Sequence, residues 1–135
     1  MKNKKNIILL GATGSIGNSV LRLLRKNRDY FNLVGVSAHN NAKLLSEIVN
    51  EFDVPNVVLS NTNNIKDYFG KFKLNTGSSA LTELAKIECD IVITGIIGVI
   101  GLHSAFAAIS SGNNLAIANK ETLVDRKSTR LNSSH

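Results

Sequence analysis

The sequence predicts an α/β fold in which a doubly wound, mainly parallel sheet carries helices on both faces. Short apolar runs of strand length alternate with segments whose apolar residues recur at helical spacing. The runs are apolar almost throughout, which is typical of parallel strands that are covered on both faces. Glycine-rich or polar segments follow several of these runs, at the strand ends where α/β proteins bind ligands.

The first half of the chain predicts three strands and two helices in alternation. Continuous apolar residues predict strands at 6–11, 31–37 and 56–60. Apolar residues on one helical face predict an amphipathic helix after each of the first two strands. The apolar positions are Ile16, Val20, Leu23 and Leu24 in the first helix and Ala42, Leu45, Ile48, Val49 and Phe52 in the second.

The second half continues this pattern after a less regular stretch. Residues 63–76 predict a short helix around Ile65 to Phe69 and a short strand from Phe72 to Asn75. The remaining elements are a helix with Ser78 or Ser79 as its N-cap, a strand at 90–96, a helix carrying Leu102, Ala105, Phe106 and Ile109, and a strand at 114–119.

Length and composition fit one domain of 135 residues with a packed core, since 43% of the residues are hydrophobic. No apolar run approaches the roughly 20 residues that span a bilayer. A signal peptide would need a longer apolar region than the one that precedes Gly11. We therefore expect a cytoplasmic protein with no membrane partner. The single cysteine, Cys89, excludes an internal disulfide and is expected to be a buried structural thiol.

The last eleven residues, "DRKSTRLNSSH" at 125–135, differ from the rest of the chain because they are polar and aperiodic. This string also resembles the translation of a common short-read sequencing adapter. We therefore expect residues 1–124 to be the native domain of an incomplete protein and residues 125–135 to be a non-native tail. A natural disordered tail is the alternative.

The formal net charge of +6 could indicate a nucleic-acid partner. The tail holds three of the 16 basic and one of the 10 acidic residues, so 13 basic and 9 acidic residues remain without it, a charge of +4. Apart from the tail, the basic residues cluster near the N-terminus and on the polar face of the first helix, without interleaved aromatic residues. We expect a solvated basic face and no nucleic-acid partner.

The segment "GATGSIG" at 11–17 joins the first predicted strand to the first helix. Gly11 stands where a tight turn needs unusual backbone angles, Gly14 leaves space for a pyrophosphate, and Gly17 lets the helix pack closely. The N–H groups and the dipole of the first helical turn then face the phosphates. This context predicts dinucleotide binding in a Rossmann-like fold, with a purely structural turn as the alternative.

The segment "SAHNNAK" at 37–43 indicates which dinucleotide binds. An NAD site usually places Asp or Glu after the second strand to bind the ribose 2′-hydroxyl. This segment has no acidic residue, and His39, Asn40, Asn41 and Lys43 supply hydrogen-bond donors instead. We therefore predict NADPH, although His39 as a solvated loop residue remains an alternative to a direct phosphate contact.

Two further segments follow predicted strands. In "TGIIGVIGL" at 94–102, Gly95, Gly98 and Gly101 either let the backbone pass close to the cofactor or form a packing turn. In "AIANKETL" at 116–123, three polar residues follow the strand where cofactor and substrate should meet. A binding site and a helix cap are the two alternatives for that segment.

Together these segments resemble the 1-deoxy-D-xylulose 5-phosphate reductoisomerase family across residues 5–124. "GATGSIG" is a variant of the family's nucleotide loop, "GIIGVIGL" is similar to its mid-domain glycine segment, and "ANKETL" matches its ANKE(S/T)L segment. His39 and Asn40 depart from the frequent Gly-Lys-Asn or Gly-Ser-Asn pattern, which leaves the partners of the 2′-phosphate open. The resemblance implies cofactor contacts by Thr13, Gly14, Ser15, Ile16, Ala38, His39, Asn40, Asn41, Asn119 and Glu121, and a substrate contact by Lys120.

The resemblance implies an NADPH-dependent enzyme that converts 1-deoxy-D-xylulose 5-phosphate to 2-C-methyl-D-erythritol 4-phosphate in non-mevalonate isoprenoid precursor biosynthesis. It also implies a divalent metal, Mg²⁺ or Mn²⁺, and a full-length homodimer. The family's metal ligands lie beyond Val124, so we expect no metal ligand and no catalytic residue in this chain. The alternatives are another NADP-dependent Rossmann reductase, either semialdehyde dehydrogenase-like or epimerase-like, and a non-catalytic dinucleotide-sensing module.

Overall fold

The computed structural model of the protein describes residues 4–94, 107, 111–112, 114–117, 122–125 and 130–133. The α-helices whose bounds fall within these residues are α1 (Ser15–Lys26), α2 (Ala42–Phe52) and α3 (Ser78–Ala85), and a 3₁₀ helix spans Thr62–Asp67. The strands are β1 (Lys5–Leu10), β2 (Phe31–Ala38), β3 (Asn56–Leu59), β4 (Leu74–Thr76), β5 (Ile91–Thr94), β6 (Asn114–Ile117), β7 (Thr122–Asp125) and β8 (Arg130–Ser133).

The strands form one sheet in the order β4-β3-β2-β1-β5-β6-β7-β8. Neighbouring strands from β4 through β6 are parallel, whereas β7 and β8 join as antiparallel strands. From β1 the chain builds outward to β4 and then returns to the other side of β1 as β5. The strand order therefore reverses between β1 and β5, which confirms the doubly wound fold and marks the edge where such sheets bind ligands.

Two apolar clusters cover the two faces of the sheet. Ile7 and Leu9 of β1 face a cluster that includes the buried side chains of α1 and α2. Ile8 and Leu10 face the opposite cluster, which includes Leu81, Leu84 and Ala85 of α3. All four β1 side chains are at most 3% exposed. Burial on both faces explains why the sequence of β1 is continuously apolar rather than alternating.

The pairing of β1 with β2 contains one irregularity. Ile7 pairs with Leu33 and Ile8 pairs with Gly35, so Val34 is an extra residue in β2. A Cβ on Gly35 would lie 2.8 Å from Cδ1 of Leu84, which shows how closely α3 packs on this strand. Because of this bulge, Leu33 and Val36 both join the cluster beneath α1 and α2.

Several elements differ in detail from the sequence predictions. The short helix is a 3₁₀ helix that begins at Thr62, and β4 begins at Leu74 rather than at Phe72. The N-cap of α3 is Gly77 instead of Ser78 or Ser79, because the chain enters this helix with a φ of 97°, which favours glycine. The sequence patterns did not predict β7 or β8. Of the predicted helix around 102–109, the described residue Ala107 is helical, and the other positions lie outside the described residues.

Within the described ranges, no helix has both the length and the apolar character that crossing a membrane requires.

Candidate functional site

The glycine loop leaves β1 at the edge where the strand order reverses. Gly11 has a φ of 77°, a conformation that side chains disfavour. Its N–H donates to Oγ of Ser37 over 3.0 Å, and the N–H of Ala12 donates to the carbonyl oxygen of Ser37 over 2.7 Å. Ser37 is 1% exposed, so the end of β2 holds the start of the loop from within the core.

Gly17 and Gly14 meet opposite surroundings. A Cβ on Gly17 would press against the carbonyl oxygen of Ala12 and lie 2.6 Å from that of Gly11, so glycine is required for α1 to pack this closely on the loop. A Cβ on Gly14 would meet no atom within 4 Å. The loop therefore closes tightly on its inner side and leaves its outer side open beside Gly14.

The N-terminus of α1 opens onto this free space. Gly14 is the N-cap, no side chain caps the helix, and its first turn contains no acidic residue. The orphan N–H groups of the first turn and the positive end of the helix dipole are thus available to an anion. A cavity of about 270 Å³ lies here, bordered by the loop from Thr13 to Ser15, by Asn18, and by Leu44 in the first turn of α2. These features fit the pyrophosphate of a dinucleotide.

The second predicted segment lies at the same edge, after β2. Ala38 is buried, whereas His39, Asn40 and Asn41 are exposed. Asn41 is the N-cap of α2, and its Oδ1 accepts a hydrogen bond from the N–H of Leu44 over 3.1 Å. Because β1 and β2 are hydrogen-bonded neighbours, the structure brings this segment and the glycine loop together as the spacing predicts.

The contacts of His39 and Asn40 come from a part of the chain that no sequence motif connects with the site. Nδ1 of His39 hydrogen-bonds Oγ of Ser60 over 2.9 Å. Asn40 receives hydrogen bonds from Asn61 and Asn64. A run of polar residues after β3 was the only signal for these contacts in the sequence.

The other predicted site residues belong to the segments that follow β5 and β6. Gly95, Gly98 and Gly101, and likewise Asn119, Lys120 and Glu121, lie outside the described residues. The strands that precede them end level with β1, since Leu10 pairs with Thr94 and Thr94 pairs with Ile117. The carboxyl ends of β5 and β6 therefore lie at the same edge as the glycine loop.

Metal ligation and thiol chemistry find no support in the part of the chain that the structure describes. No group of three or more His, Cys, Asp or Glu residues in that part could hold a metal ion, so these residues do not fit a metal centre. Cys89 is partly buried, and burial raises the pKa of its thiol to about 11. The thiol is therefore protonated at neutral pH, which fits the predicted structural role and not that of a nucleophile.

Comparisons with known proteins identify the family of the chain. The family model described as 1-deoxy-D-xylulose 5-phosphate reductoisomerase matches residues 7–126. The relative from Clostridium acetobutylicum is 44% identical over 128 aligned residues, which cover 89% of this chain and 33% of that protein. The relative from Leptospira borgpetersenii is 43% identical over 124 residues, covering 88% and 32% respectively. The chain thus spans about a third of the length of the curated relatives it matches.

Solved structures of the same family share the fold. The reductoisomerase from Zymomonas mobilis in complex with NADPH superposes with a TM-score of 0.80 at 32% identity, covering 88% of this chain and 33% of that one. A reductoisomerase in complex with NADPH, fosmidomycin and magnesium gives a TM-score of 0.77 at 29% identity, covering 87% and 30%. With a family model that matches most of its length and a fold shared with solved members, the chain belongs to the 1-deoxy-D-xylulose 5-phosphate reductoisomerase family.

Proposed function

We propose that this chain is the NADPH-binding part of an enzyme that converts 1-deoxy-D-xylulose 5-phosphate to 2-C-methyl-D-erythritol 4-phosphate in isoprenoid precursor biosynthesis. The observation that carries the proposal is the open, uncapped N-terminus of α1 beside Gly14, next to a loop after β2 that has no acidic residue. NADPH supplies the hydride of such a reaction, and a relative's solved structure contains NADPH.

In this proposal the described residues bind and orient the cofactor. The loop from Thr13 to Ile16 holds the pyrophosphate through backbone N–H groups, and Gly14 leaves the approach open. The segment from Ala38 to Asn41 lies beside the 2′-phosphate, where donors without a carboxylate favour NADPH over NADH. Asn119 and Glu121 add cofactor contacts, and Lys120 contacts the sugar phosphate substrate.

The chain alone binds NADPH without turnover in this proposal, because it spans about a third of its relatives and its described residues do not fit a metal centre. Mg²⁺ or Mn²⁺ and the catalytic groups belong to other segments of the full-length enzyme, which we propose is a cytoplasmic homodimer. Nucleic acid and membranes have no role in this proposal.

Binding of NADPH and NADH to the chain, followed by cofactor fluorescence, tests the proposal. We expect NADPH to bind at least about tenfold more tightly, which corresponds to one charge-assisted contact of about 1.4 kcal/mol. Tighter binding of NADH would contradict the reading of the loop after β2, and binding of neither would contradict the assignment of the site.

The variant Asn41→Asp sharpens this test. Aspartate caps helices as well as asparagine does, so the variant keeps the start of α2 and adds one negative charge beside the proposed 2′-phosphate. Asn50→Asp is the matched control, since it lies on the same helix, about 13 Å further along at 1.5 Å per residue, where salt screens the charge. NADPH affinity should fall only in Asn41→Asp, and NADH affinity should change little in either variant.

A further inference from the structure

The five residues Ser60–Asn64, "SNTNN", follow β3 and brace the loop after β2; we call them the bracing segment. Three of their side chains contact the loop. Ser60 Oγ hydrogen-bonds Nδ1 of His39 over 2.9 Å. Asn61 Nδ2 donates to Oδ1 of Asn40 over 2.6 Å, and Asn64 Nδ2 donates to the carbonyl oxygen of Asn40 over 3.0 Å. The bracing segment therefore holds both residues that depart from the family's frequent loop pattern.

The backbone adds to this brace. The N–H of Asn61 donates to the carbonyl oxygen of His39 over 2.9 Å, and the N–H of Ser60 donates to that of Ala38 over 2.9 Å. His39 and Asn40 are nevertheless exposed. Exposed side chains ordinarily sample several rotamers, and fixing them on binding a ligand costs affinity. Here the protein fixes them before a ligand arrives.

The brace also determines which chemical group Asn40 presents. Its Oδ1 accepts from Asn61, so the NH₂ group on the other branch of the amide is the part of this side chain that is left for a ligand. An NH₂ group is a donor suited to a phosphate oxygen. Neither the loop at 38–41 nor the bracing segment contains an acidic residue that would repel an anion there.

We propose that Ser60, Asn61 and Asn64 are positioning residues that set the preference for NADPH over NADH. They act through His39 and Asn40 and do not themselves touch the cofactor. This inference rests on the proposed function, because the place of the 2′-phosphate beside the loop is part of that proposal. In this proposal the brace serves only the 2′-phosphate. Its loss should therefore weaken the binding of NADPH and leave the binding of NADH unchanged.

Two single substitutions test the brace, Ser60→Ala and Asn64→Ala. Asn61 is less suitable because its Oδ1 also accepts from the N–H of Asn63 and so caps the 3₁₀ helix. Asn63→Ala is the matched control, since it changes the same residue type one position away while retaining that backbone N–H. Ser60→Thr keeps the hydroxyl and should retain the wild-type preference.

Dissociation constants for NADPH and NADH are measured on the 135-residue chain, together with those of adenosine 2′,5′-bisphosphate and 5′-AMP. Loss of the orienting hydrogen bonds of one of these side chains should weaken the binding of NADPH and of the bisphosphate by about five- to tenfold. NADH and 5′-AMP should stay within about twofold of wild type, and the Asn63→Ala control should change none of the four.

The outcomes separate this inference from the function on which it rests. A parallel loss for NADPH and NADH would mean that the segment serves the fold in general, and it would overturn the inference. The inference would also be overturned if the wild-type chain prefers NADPH and both variants keep the same ratio of NADPH to NADH affinity. The proposed function would then stand. A wild-type chain without that preference would overturn both.

Discussion

Single residues of the glycine loop meet three different physical demands. Gly11 adopts a backbone conformation that side chains disfavour, Gly17 packs against carbonyl oxygens, and Gly14 faces open space. Only the third demand concerns a ligand. Substitutions at Gly14 and Gly17 should therefore separate binding from stability.

We expect Gly17→Ala to lower the free energy of unfolding by about 2 kcal/mol, because the new Cβ presses on backbone that cannot move aside. Gly14→Ala should cost less than about 1 kcal/mol, the difference between glycine and alanine at an N-cap, but should weaken NADPH binding. Urea denaturation and NADPH titration of both variants provide the measurement. Equal destabilisation of the two variants would contradict this assignment.

Local motifs in the sequence predict candidate site residues, but they do not predict the residues that hold them. The glycines and the acid-free loop carry short motifs, so Gly14, His39 and Asn40 are predicted from local spacing. Ser37 and Ser60 act on residues 26 and 21 positions away, respectively. A contact over that distance depends on which strands become neighbours, and a serine after an apolar run does not reveal it.

Among the elements, α1 and α2 are joined by an ion-pair cluster near their C-terminal ends. Glu51 of α2 receives two hydrogen bonds from Arg25 of α1, at 2.5 and 2.8 Å, and one from Arg28 at 3.1 Å. The guanidinium of Arg28 also lies 4.5 Å from the ring centroid of Phe52. The hydrogen bond from Arg25 is the main reason that the pKa of Glu51 lies below its ordinary value of 4.5.

The lowered pKa predicts a pH-dependent contribution to stability. A carboxylate whose pKa is lower in the folded than in the unfolded state stabilises the fold above its ordinary value, and this contribution disappears as the pH falls through the folded pKa. Glu51→Gln should therefore cost about 0.5–1 kcal/mol at pH 7, since the pair is partly exposed, and almost nothing well below pH 4.5.

Thermal unfolding of wild type and Glu51→Gln across this pH range tests the prediction. Added salt at pH 7 should reduce the difference in stability between wild type and Glu51→Gln, because the ion pair is partly exposed to solvent. Lys86, paired with Glu83 on α3, offers a control pair on the other face of the sheet. An unchanged cost of Glu51→Gln at low pH would show that packing, not charge, joins the two helices.

Elements with strong periodicity were predicted almost to the residue, and those without it were not. The start of α1 at Ser15 and the span of α2 follow from apolar spacing. The N-cap of α3 is Gly77, which has a positive φ. The sequence did not predict it because two serines, which are also N-cap candidates, follow directly. β7 and β8 escaped prediction because their strands are short and are defined by antiparallel pairing with each other and with β6.

At the scale of the whole molecule, the alternation of strands and helices was sufficient to predict the doubly wound sheet. When helices separate strand-like runs, the simplest topology is one in which each helix connects two parallel strands. We propose that residues 125–135 are not native to the domain, and the family match, which extends only two residues into this segment, supports this.

We expect a chain of residues 1–124 to retain the fold and its NADPH affinity. The variant loses Asp125 of β7 and the whole of β8, which pairs with β7 at one end of the sheet, so the free energy of unfolding should fall by less than about 1 kcal/mol. Urea denaturation and NADPH titration, with the full chain as control, measure both quantities. Failure of the shortened chain to fold would show that β8 is an integral strand.

The central position of β1 has a consequence for slow motions of the protein. β1 is hydrogen-bonded on both sides, to β2 and to β5, and Ile8, Leu9 and Leu10 are fully buried. We expect amide hydrogens there to exchange with deuterium only when the sheet itself separates, so that their exchange reports global unfolding. The loop at Gly11 follows this strand directly, and a bound nucleotide would therefore be anchored to a strand that opens only with the sheet.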